Sequence, residues 1–202
     1  MKILVTGVAG FIGHHAAMAM LERGDQVLGV DSMNAYYDPA LKTARLARLE
    51  AMPGFEFRRL DLSDRSVLET LGNAGIDRIV HLAAQAGVRH SIDEPFDYLD
   101  SNLAGTLVVL ELARAIETSH LVFASSSSVY GLNEMMPFAT GHPVDHPLSL
   151  YAATKRSAEL MAHGYARLYG IPTTGLRFFS VYGTWGRPDM ALWKFAASIR
   201  EG

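Results

Sequence analysis

The chain has 202 residues, of which 49% are hydrophobic and 19% are charged, and this composition excludes a disordered or collagen-like protein. Its formal net charge is -3 and its basic residues are scattered, so no positive surface is expected to attract a nucleic acid partner. It contains no cysteine, which excludes disulfides and thiolate metal sites and fits a reducing compartment, by default the cytoplasm.

The first residues predict a strand and not a targeting sequence. Ile3, Leu4 and Val5 lead directly into a glycine cluster, without the apolar region and cleavage site of a signal peptide. Apolar runs such as residues 16–21 are far shorter than the roughly 20 residues that cross a bilayer. We therefore expect a soluble protein without a membrane partner.

Short β-branched runs alternate with longer helical patterns along most of the chain. The apolar character of residues 3–5 and 121–123 is typical of parallel strands covered on both faces. Residues 1–180 are therefore expected to form one α/β domain with a doubly wound parallel sheet of the Rossmann type. Strands are predicted at 2–6, 26–30, 55–60, 78–82, 120–125 and 173–178, and helices at 11–23, 63–72, 101–116 and 149–168.

A glycine-rich turn lies between the first predicted strand and the first predicted helix. Gly7, Gly10 and Gly13 have the spacing G-x-x-G-x-x-G. In this setting, glycines let the backbone approach a dinucleotide pyrophosphate at the helix N-terminus, where Phe11 and Ile12 also lie. The alternative interpretation is a tight turn without a ligand.

Asp31 follows the second predicted strand, eighteen residues after Gly13. A carboxylate at this position can accept hydrogen bonds from the hydroxyls of an adenine ribose, and its charge repels a 2′-phosphate. The next residues, Ser32, Met33 and Asn34, include no cation that could bind such a phosphate. The sequence therefore favours NAD over NADP, unless Asp31 only opens a loop.

Two further turns follow predicted strands at the edge where doubly wound folds bind ligands. The second turn begins after His81, which alone is more typical of a packed strand end than of a metal ligand. We predict further cofactor contacts at Asp61, Leu62, Leu82, Ala83 and Ala84.

Tyr151 and Lys155 are four residues apart in a predicted helix, so their side chains share one face. A neighbouring ammonium, together with a positive nicotinamide ring, should favour the phenolate and make Tyr151 a base near neutral pH. Ser126 ends the fifth predicted strand, where its hydroxyl could bond the substrate oxygen that Tyr151 deprotonates. These three residues are the predicted catalytic set; an isolated pair of this spacing is usually a solvated helix face.

In these motifs the sequence resembles the extended short-chain dehydrogenase/reductase superfamily over essentially its whole length. Within that superfamily, residues 125–131, 145–155, 176–183 and 185–192 are similar to those of UDP-glucuronate 4-epimerases. The resemblance implies that Tyr151 removes the proton of the 4-hydroxyl while hydride leaves C4 for NAD. The 4-keto sugar then rotates and receives hydride on its other face.

The resemblance also implies how the substrate is held. Ser126 would polarise the reacting oxygen, and Lys155 would bind the nicotinamide ribose and lower the pKa of Tyr151. Arg187 could pair with a uronate carboxylate, bind the diphosphate or remain solvated. Ser180 and Thr184 stand where the family has threonine and proline, which leaves sugar selectivity open. The residues expected to face the sugar are Ser127, Ser128, Ser180 and Arg187.

Other functions remain in competition. Related dehydratases and decarboxylases carry an acidic residue just after the catalytic hydroxyl, whereas Ser127 and Ser128 stand here, which favours simple epimerisation. The enzymatic alternative is epimerisation of neutral UDP-hexoses. The alternative of another class is a non-catalytic NAD-binding protein or an inactive fragment, since fold does not fix function.

Two further expectations concern the last residues of the chain and its assembly into a dimer. Residues 181–202 are expected to begin a substrate-binding region, of which residues 190–201 form a helix. The helices at 101–116 and 149–168 are expected to form the interface of a homodimer, as they do in relatives. The apolar residues assigned to that interface are Leu107, Leu110, Leu160 and Met161.

Overall fold

The computed structural model describes residues 1–201 of the chain. Its centre is a six-stranded sheet in which every neighbouring pair of strands is parallel. The strands are β1 (Lys2–Thr6), β2 (Gln26–Asp31), β3 (Phe55–Arg59), β4 (Arg78–His81), β5 (His120–Ser126) and β6 (Thr173–Phe178). Their order across the sheet is β3-β2-β1-β4-β5-β6: strands β2 and β3 are added on one side of β1, and strands β4 to β6 on the other side. The strand order therefore reverses between β1 and β4. This arrangement confirms the doubly wound α/β fold, which binds ligands at that reversal.

Helices connect successive strands. They are α1 (Phe11–Glu22), α2 (Pro39–Glu50), α3 (Val67–Gly72), α4 (His90–Asp93), α5 (Pro95–Tyr98), α6 (Gly105–Ala115), α7 (Leu150–Tyr169) and α8 (Ala191–Glu201). A π-helical turn, Leu99–Ala104, precedes α6, and a 3-10 turn, Ser127–Tyr130, follows β5. Within the described residues, no helix has both the length and the apolar character that a membrane crossing needs.

The predicted strands agree with the structure to within one residue at each end, but two helices differ. The helix predicted at 63–72 begins at Val67, because the side chains of Asp61 and Asp64 accept hydrogen bonds from the backbone N–H groups of Ser63 and Ser66. The helix predicted at 101–116 starts as the π-helical turn and becomes α-helical at Gly105.

The sequence prediction missed α2 altogether. Asp38 caps this helix, since its side chain accepts a hydrogen bond of 2.9 Å from the N–H of Ala40, and Pro39 occupies the first helical position. An aspartate followed by a proline is a recognised signal for a helix start. The omission matters because α2 brings Lys42 and Arg45 to the functional edge of the sheet.

The sheet is packed on both faces. Leu4 of β1 belongs to an apolar cluster that includes Val109 of α6. Ile3 and Val5, which point the opposite way, belong to a second cluster with Leu21 of α1. This division follows from the alternation of side chains along a strand and explains why residues 3–5 of β1 are all apolar.

A buried histidine ends β4. The Thr6 hydroxyl oxygen accepts hydrogen bonds of 3.1 Å from the N–H groups of Leu82 and Ala83, so its own hydrogen is available to Nδ1 of His81, 2.8 Å away. The proton of the neutral ring is therefore on Nε2, which lies 3.3 Å from the Thr106 hydroxyl. Burial, reinforced by the charge of Lys155, lowers the pKa of His81 from 6.5 to about 3.

His81 should make the fold sensitive to acid. As the pH falls below 6.5, the unfolded chain binds a proton that the folded chain excludes until about pH 3, so the free energy of unfolding decreases. His81→Asn keeps an acceptor for Thr6 but does not titrate. Urea titrations at pH 7 and pH 4.5 should show that the variant loses about 2 kcal/mol less than the wild type over this interval. An equal loss in both proteins would contradict this account of His81.

Candidate active site

A groove of about 730 Å³ lies along the carboxyl ends of the strands. Its position matches the ligand site of doubly wound sheets. Every residue that the sequence assigned to a site borders it: Gly7, Gly10, Phe11, Ile12, Gly13, Asp31, Asp61, Leu62, Leu82, Ala83, Ala84, Ser126, Ser127, Ser128, Tyr151, Lys155, Ser180 and Arg187. The structure thus brings the predicted residues together, while their individual roles remain predictions.

The glycine-rich turn forms one wall of the groove. Gly7 has a φ of +68°, which favours glycine, and a side chain there would meet the backbone of Ala83 at 2.7 Å. A Cβ atom on Gly13 would lie 2.1 Å from the carbonyl oxygen of Gly7. The first turn of α1 therefore approaches the glycine-rich turn too closely to leave room for a side chain at Gly13.

The N-terminus of α1 opens into the same wall. Gly10 is the N-cap residue and supplies no capping side chain, so the N–H groups of the first turn, which have no acceptor inside the helix, are available to a ligand. Their partial positive charge suits an anionic group such as a pyrophosphate. The close-packed glycines and this helix end together fit a dinucleotide.

Asp31 is buried at the end of β2, with its carboxylate fixed by backbone N–H groups. Oδ2 accepts from Ala9 at 3.1 Å and Oδ1 accepts from Met33 at 2.8 Å. The ammonium of Lys42 lies 3.8 Å from Oδ1 and donates a 2.6 Å hydrogen bond to the side chain of Asn34. Sequence reasoning missed Lys42 because α2 was not predicted. The Lys42 ammonium places a positive charge beside Asp31, although the residues that follow Asp31 in sequence are uncharged.

Ser126, Tyr151 and Lys155 converge at the far end of the groove. The side chain of Ser149 caps α7 by accepting a 3.0 Å hydrogen bond from the N–H of Ala152, which fixes the start of the helix just before Tyr151. Lys155 is buried one turn later, and its ammonium donates a 3.0 Å hydrogen bond to a carbonyl oxygen of β5. The ammonium lies 6.0 Å from the centre of the Tyr151 ring.

Burial shifts the protonation equilibria of both titratable members of this set. Burial raises the pKa of Tyr151, while the Ser126 hydroxyl and the charge of Arg187 act in the opposite direction without overcoming it. Burial also lowers the pKa of Lys155 to about 8, because the ammonium loses its water. In the chain alone, desolvation therefore outweighs the effects of Ser126 and Arg187 on Tyr151, and the expectation that Lys155 lowers the pKa of Tyr151 stays a prediction.

The serines after β5 form a compact hydroxyl cluster. The Ser126 oxygen accepts hydrogen bonds from the N–H and the hydroxyl of Ser128, at 3.2 and 2.9 Å. Ser126 is thereby oriented as the N-cap of the 3-10 turn that also contains Ser127. This arrangement directs small donors and acceptors, and not carboxylates, to the space beside the Tyr151 phenol.

Arg187 lies at the same end but is already paired. Its Nε donates a 3.0 Å hydrogen bond to Oδ1 of Asp189, and its second nitrogen bonds the other carboxylate oxygen. Tyr36 donates to the same carboxylate at 3.2 Å, and its ring lies 5.8 Å from the guanidinium carbon of Arg187. Sequence reasoning assigned no role to either partner: Asp189 is a neighbour of Arg187 in sequence, whereas Tyr36 reaches the pair only through the fold.

Comparison with known proteins places these features in a family context. The model of the NAD dependent epimerase/dehydratase family matches residues 3–202. A probable UDP-glucuronate 4-epimerase of Rhizobium meliloti is 52% identical over 203 residues, which cover 100% of this chain and 60% of that protein. UDP-glucuronate 4-epimerase 1 of Arabidopsis thaliana is 47% identical, with 100% of this chain and 47% of the relative covered.

Comparison with solved structures gives a similar match. UDP-glucuronic acid 4-epimerase of Bacillus cereus, in complex with UDP-glucuronic acid and NAD, matches with a TM-score of 0.92 and 37% identity. The match covers 100% of this chain and 63% of that one. The chain thus spans about 60% of the length of these bacterial proteins.

The buried ammonium should reduce stability. At pH 7 Lys155 is charged in both states but loses its hydration only in the folded one, so we expect Lys155→Met to raise the free energy of unfolding by about 1–3 kcal/mol. The gain should shrink as the pH rises above 8, because the folded lysine then releases its proton before the unfolded one does.

The measurement is denaturant unfolding of both proteins at pH 7 and pH 10. Lys194→Met, which removes an exposed ammonium, is the matched control and should change little. A Lys155→Met protein less stable than the wild type at pH 7 would refute the inferred desolvation cost.

Proposed function

The chain belongs to the NAD-dependent epimerase/dehydratase family, and we propose that it interconverts UDP-glucuronate and UDP-galacturonate. The observation that carries the proposal is the convergence of Ser126, Tyr151 and Lys155 at one end of a dinucleotide-shaped groove. Ser127 and Ser128 provide hydroxyls where a proton transfer beyond C4 would need a carboxylate. The similarity to UDP-glucuronate 4-epimerases supports the same substrate.

NAD is the proposed cofactor, and the residues present fit it. The uncapped N-terminus of α1 beside Gly7 would hold the pyrophosphate, Asp31 would accept from the adenine ribose hydroxyls, and Lys155 would bind the nicotinamide ribose. When bound, NAD would supply a reversible hydride acceptor for C4 of the sugar.

The chain itself moves the proton. Tyr151 would take the proton of the 4-hydroxyl, and Ser126 would donate a hydrogen bond to the same oxygen as the 4-keto sugar forms. Because burial raises the pKa of Tyr151, the phenolate needs positive charge from the groove. Lys155 and Arg187 would contribute part of that charge from the chain itself.

Substrate contacts are proposed for Ser127, Ser128, Ser180 and Arg187, which border the groove next to Tyr151. We assign residues 1–180 to the cofactor-binding domain and residues 181–202 to the start of the substrate-binding region. Arg187 would bind a substrate anion, either the uronate carboxylate or the diphosphate. This anion would replace Asp189 as the partner of the guanidinium.

One observation favours a second candidate, the epimerisation of neutral UDP-hexoses. The guanidinium of Arg187 is already neutralised by Asp189, so a sugar without a carboxylate would leave that pair intact. Both candidates use the same catalytic residues and differ only in the charge at C6 of the sugar.

The test is conversion of UDP-glucuronate by the full-length gene product, with UDP-glucose as the competing substrate. Tyr151→Phe keeps the ring and its packing but removes the proton acceptor, so we expect turnover to fall by about 10²–10⁴-fold while NAD binding changes little. Tyr169→Phe, at an exposed tyrosine outside the groove, is the control and should remain active.

The outcomes separate the alternatives. Preferential turnover of UDP-glucose would favour the second candidate, and NAD binding without turnover of either sugar would indicate a non-catalytic protein. Near-normal turnover of Tyr151→Phe would show that another group is the base.

We also propose a homodimer formed through α6 and α7. Leu107 on α6 and Leu160 on α7 are exposed on neighbouring helices, and both are available for contact with a second copy. Leu110 and Met161, which the sequence also assigned to this interface, instead pack in or against the core. That part of the expectation is wrong, because the helices turn these two side chains toward the sheet.

The dimer is tested by sedimentation at micromolar concentration. Leu107→Glu with Leu160→Glu places charges in the proposed interface and should shift the protein to a monomer of unchanged secondary structure. Leu132→Glu, at an exposed leucine outside these helices, should leave the dimer intact. A wild-type protein that is strictly monomeric would contradict the proposal.

A further inference from the structure

Arg45 of α2 is fully buried, and each of its five N–H groups has an acceptor. Nε and Nη2 both donate to the carbonyl oxygen of Trp185, at 3.1 and 2.6 Å, and Nη2 also reaches the carbonyl oxygen of Gly186 at 3.1 Å. Nη1 donates to the carbonyl oxygen of Ala9 at 3.1 Å and to the hydroxyl of Tyr37 at 2.6 Å. One guanidinium thus connects three separate segments.

The acceptors are carbonyl groups and a phenol, which compensate a buried positive charge only through their dipoles. Such an arrangement is a poor device for stability, since a buried ion needs strong partners to offset its lost hydration. Its value lies in geometry, because the planar fork of an arginine fixes the relative position of several acceptors. A lysine, with donors on a single atom, cannot reproduce this arrangement.

The segments that Arg45 joins belong to the two halves of the groove. Ala9 lies in the glycine-rich turn, on the proposed dinucleotide side. Trp185 and Gly186 directly precede Arg187, on the proposed sugar side. Hydrogen bonds of Arg45 therefore connect the glycine-rich turn to the residues that directly precede Arg187.

The backbone at Trp185 needs such a restraint. Its φ of +60° is in the left-handed region, which is unfavourable for a bulky residue and persists where surrounding contacts hold it. The two hydrogen bonds from Arg45 end on the carbonyl of this same residue. His15 adds a 2.9 Å hydrogen bond to the carbonyl oxygen of Thr184, and Arg48 lies 5.0 Å from the Trp185 ring centre.

We propose that Arg45 is a positioning residue that clamps residues 184–186 to the glycine-rich turn and thereby places Arg187 for the UDP-sugar. The clamp itself stands on the hydrogen bonds of Arg45, and only the role of Arg187 in binding rests on the proposed function. Arg45 touches neither reacting group, so its effect on catalysis is exerted through Arg187 and the turn.

Tryptophan fluorescence can follow the clamp directly. The chain has two tryptophans, so Trp193→Phe leaves Trp185 as the only one. In this background, Arg45→Met should increase the quenching of Trp185 by acrylamide about twofold, because the turn is released to solvent. In the full-length protein, the KM for the UDP-sugar should rise about tenfold, with a smaller change in kcat, because Arg187 loses its position for binding.

The controls separate positioning from general destabilisation. Arg65→Met removes an exposed arginine and should change neither quenching nor KM. Arg45→Lys keeps a buried cation and should recover only part of both properties, and it serves as the test protein if Arg45→Met does not fold. Lower thermal stability with unchanged quenching in a folded Arg45 variant would overturn the clamp.

Increased quenching with an unchanged KM would overturn the effect on Arg187. If the wild type does not turn over UDP-sugars, the proposed function fails, and the quenching comparison still decides whether Arg45 holds the turn.

Discussion

The contact of Gly13 with the carbonyl oxygen of Gly7 is the constraint on which the site depends. Any side chain at Gly13 would lie within 2.1 Å of that oxygen, so α1 can approach the end of β1 only because both positions are glycine. This approach aims the open helix N-terminus along the carboxyl edge of the sheet. The glycine-rich turn, Asp31, Leu82 and Ala83 border the same groove at that edge.

At the other end of the groove, the structure places charge where it is unfavourable for folding. Lys155 is buried with a carbonyl as its hydrogen-bond acceptor, and Tyr151 is buried beside it with a raised pKa. Both shifts have the same physical cause, since removal of water disfavours the ammonium and the phenolate alike. The ammonium of Lys155 and the side chain of Tyr151 attract each other only after Tyr151 has lost its proton. Further positive charge near the pair would therefore favour the phenolate, which is the form that acts as a base.

Sequence reasoning recovered the parts of the molecule whose cause is local. The apolar strands, the glycine-rich turn and the spacing of Tyr151 and Lys155 are properties of short segments, and the structure contains all three. Lys42 and Arg45 were missed because the start signal of their helix at Asp38 was not recognised. Tyr36 and Asp189 are 153 residues apart, and only the folded chain brings them together. The raised pKa of Tyr151 escaped for a related reason, because burial is a property of the whole fold.

The pairing of Arg187 with Asp189 bears on how such a site could select an acidic sugar. A substrate anion that takes Arg187 replaces one charge-assisted pair with another, so the exchange by itself contributes little free energy. The balance depends on where the carboxylate of Asp189 goes. Tyr36 already donates to it, and any water that solvates the released carboxylate would make the exchange more favourable. A neutral sugar gains no binding free energy from this exchange. An acidic sugar gains binding free energy only to the extent that the released carboxylate of Asp189 is stabilised. Selectivity for the sugar would therefore be set as much by the surroundings of Asp189 as by the arginine that contacts the ligand.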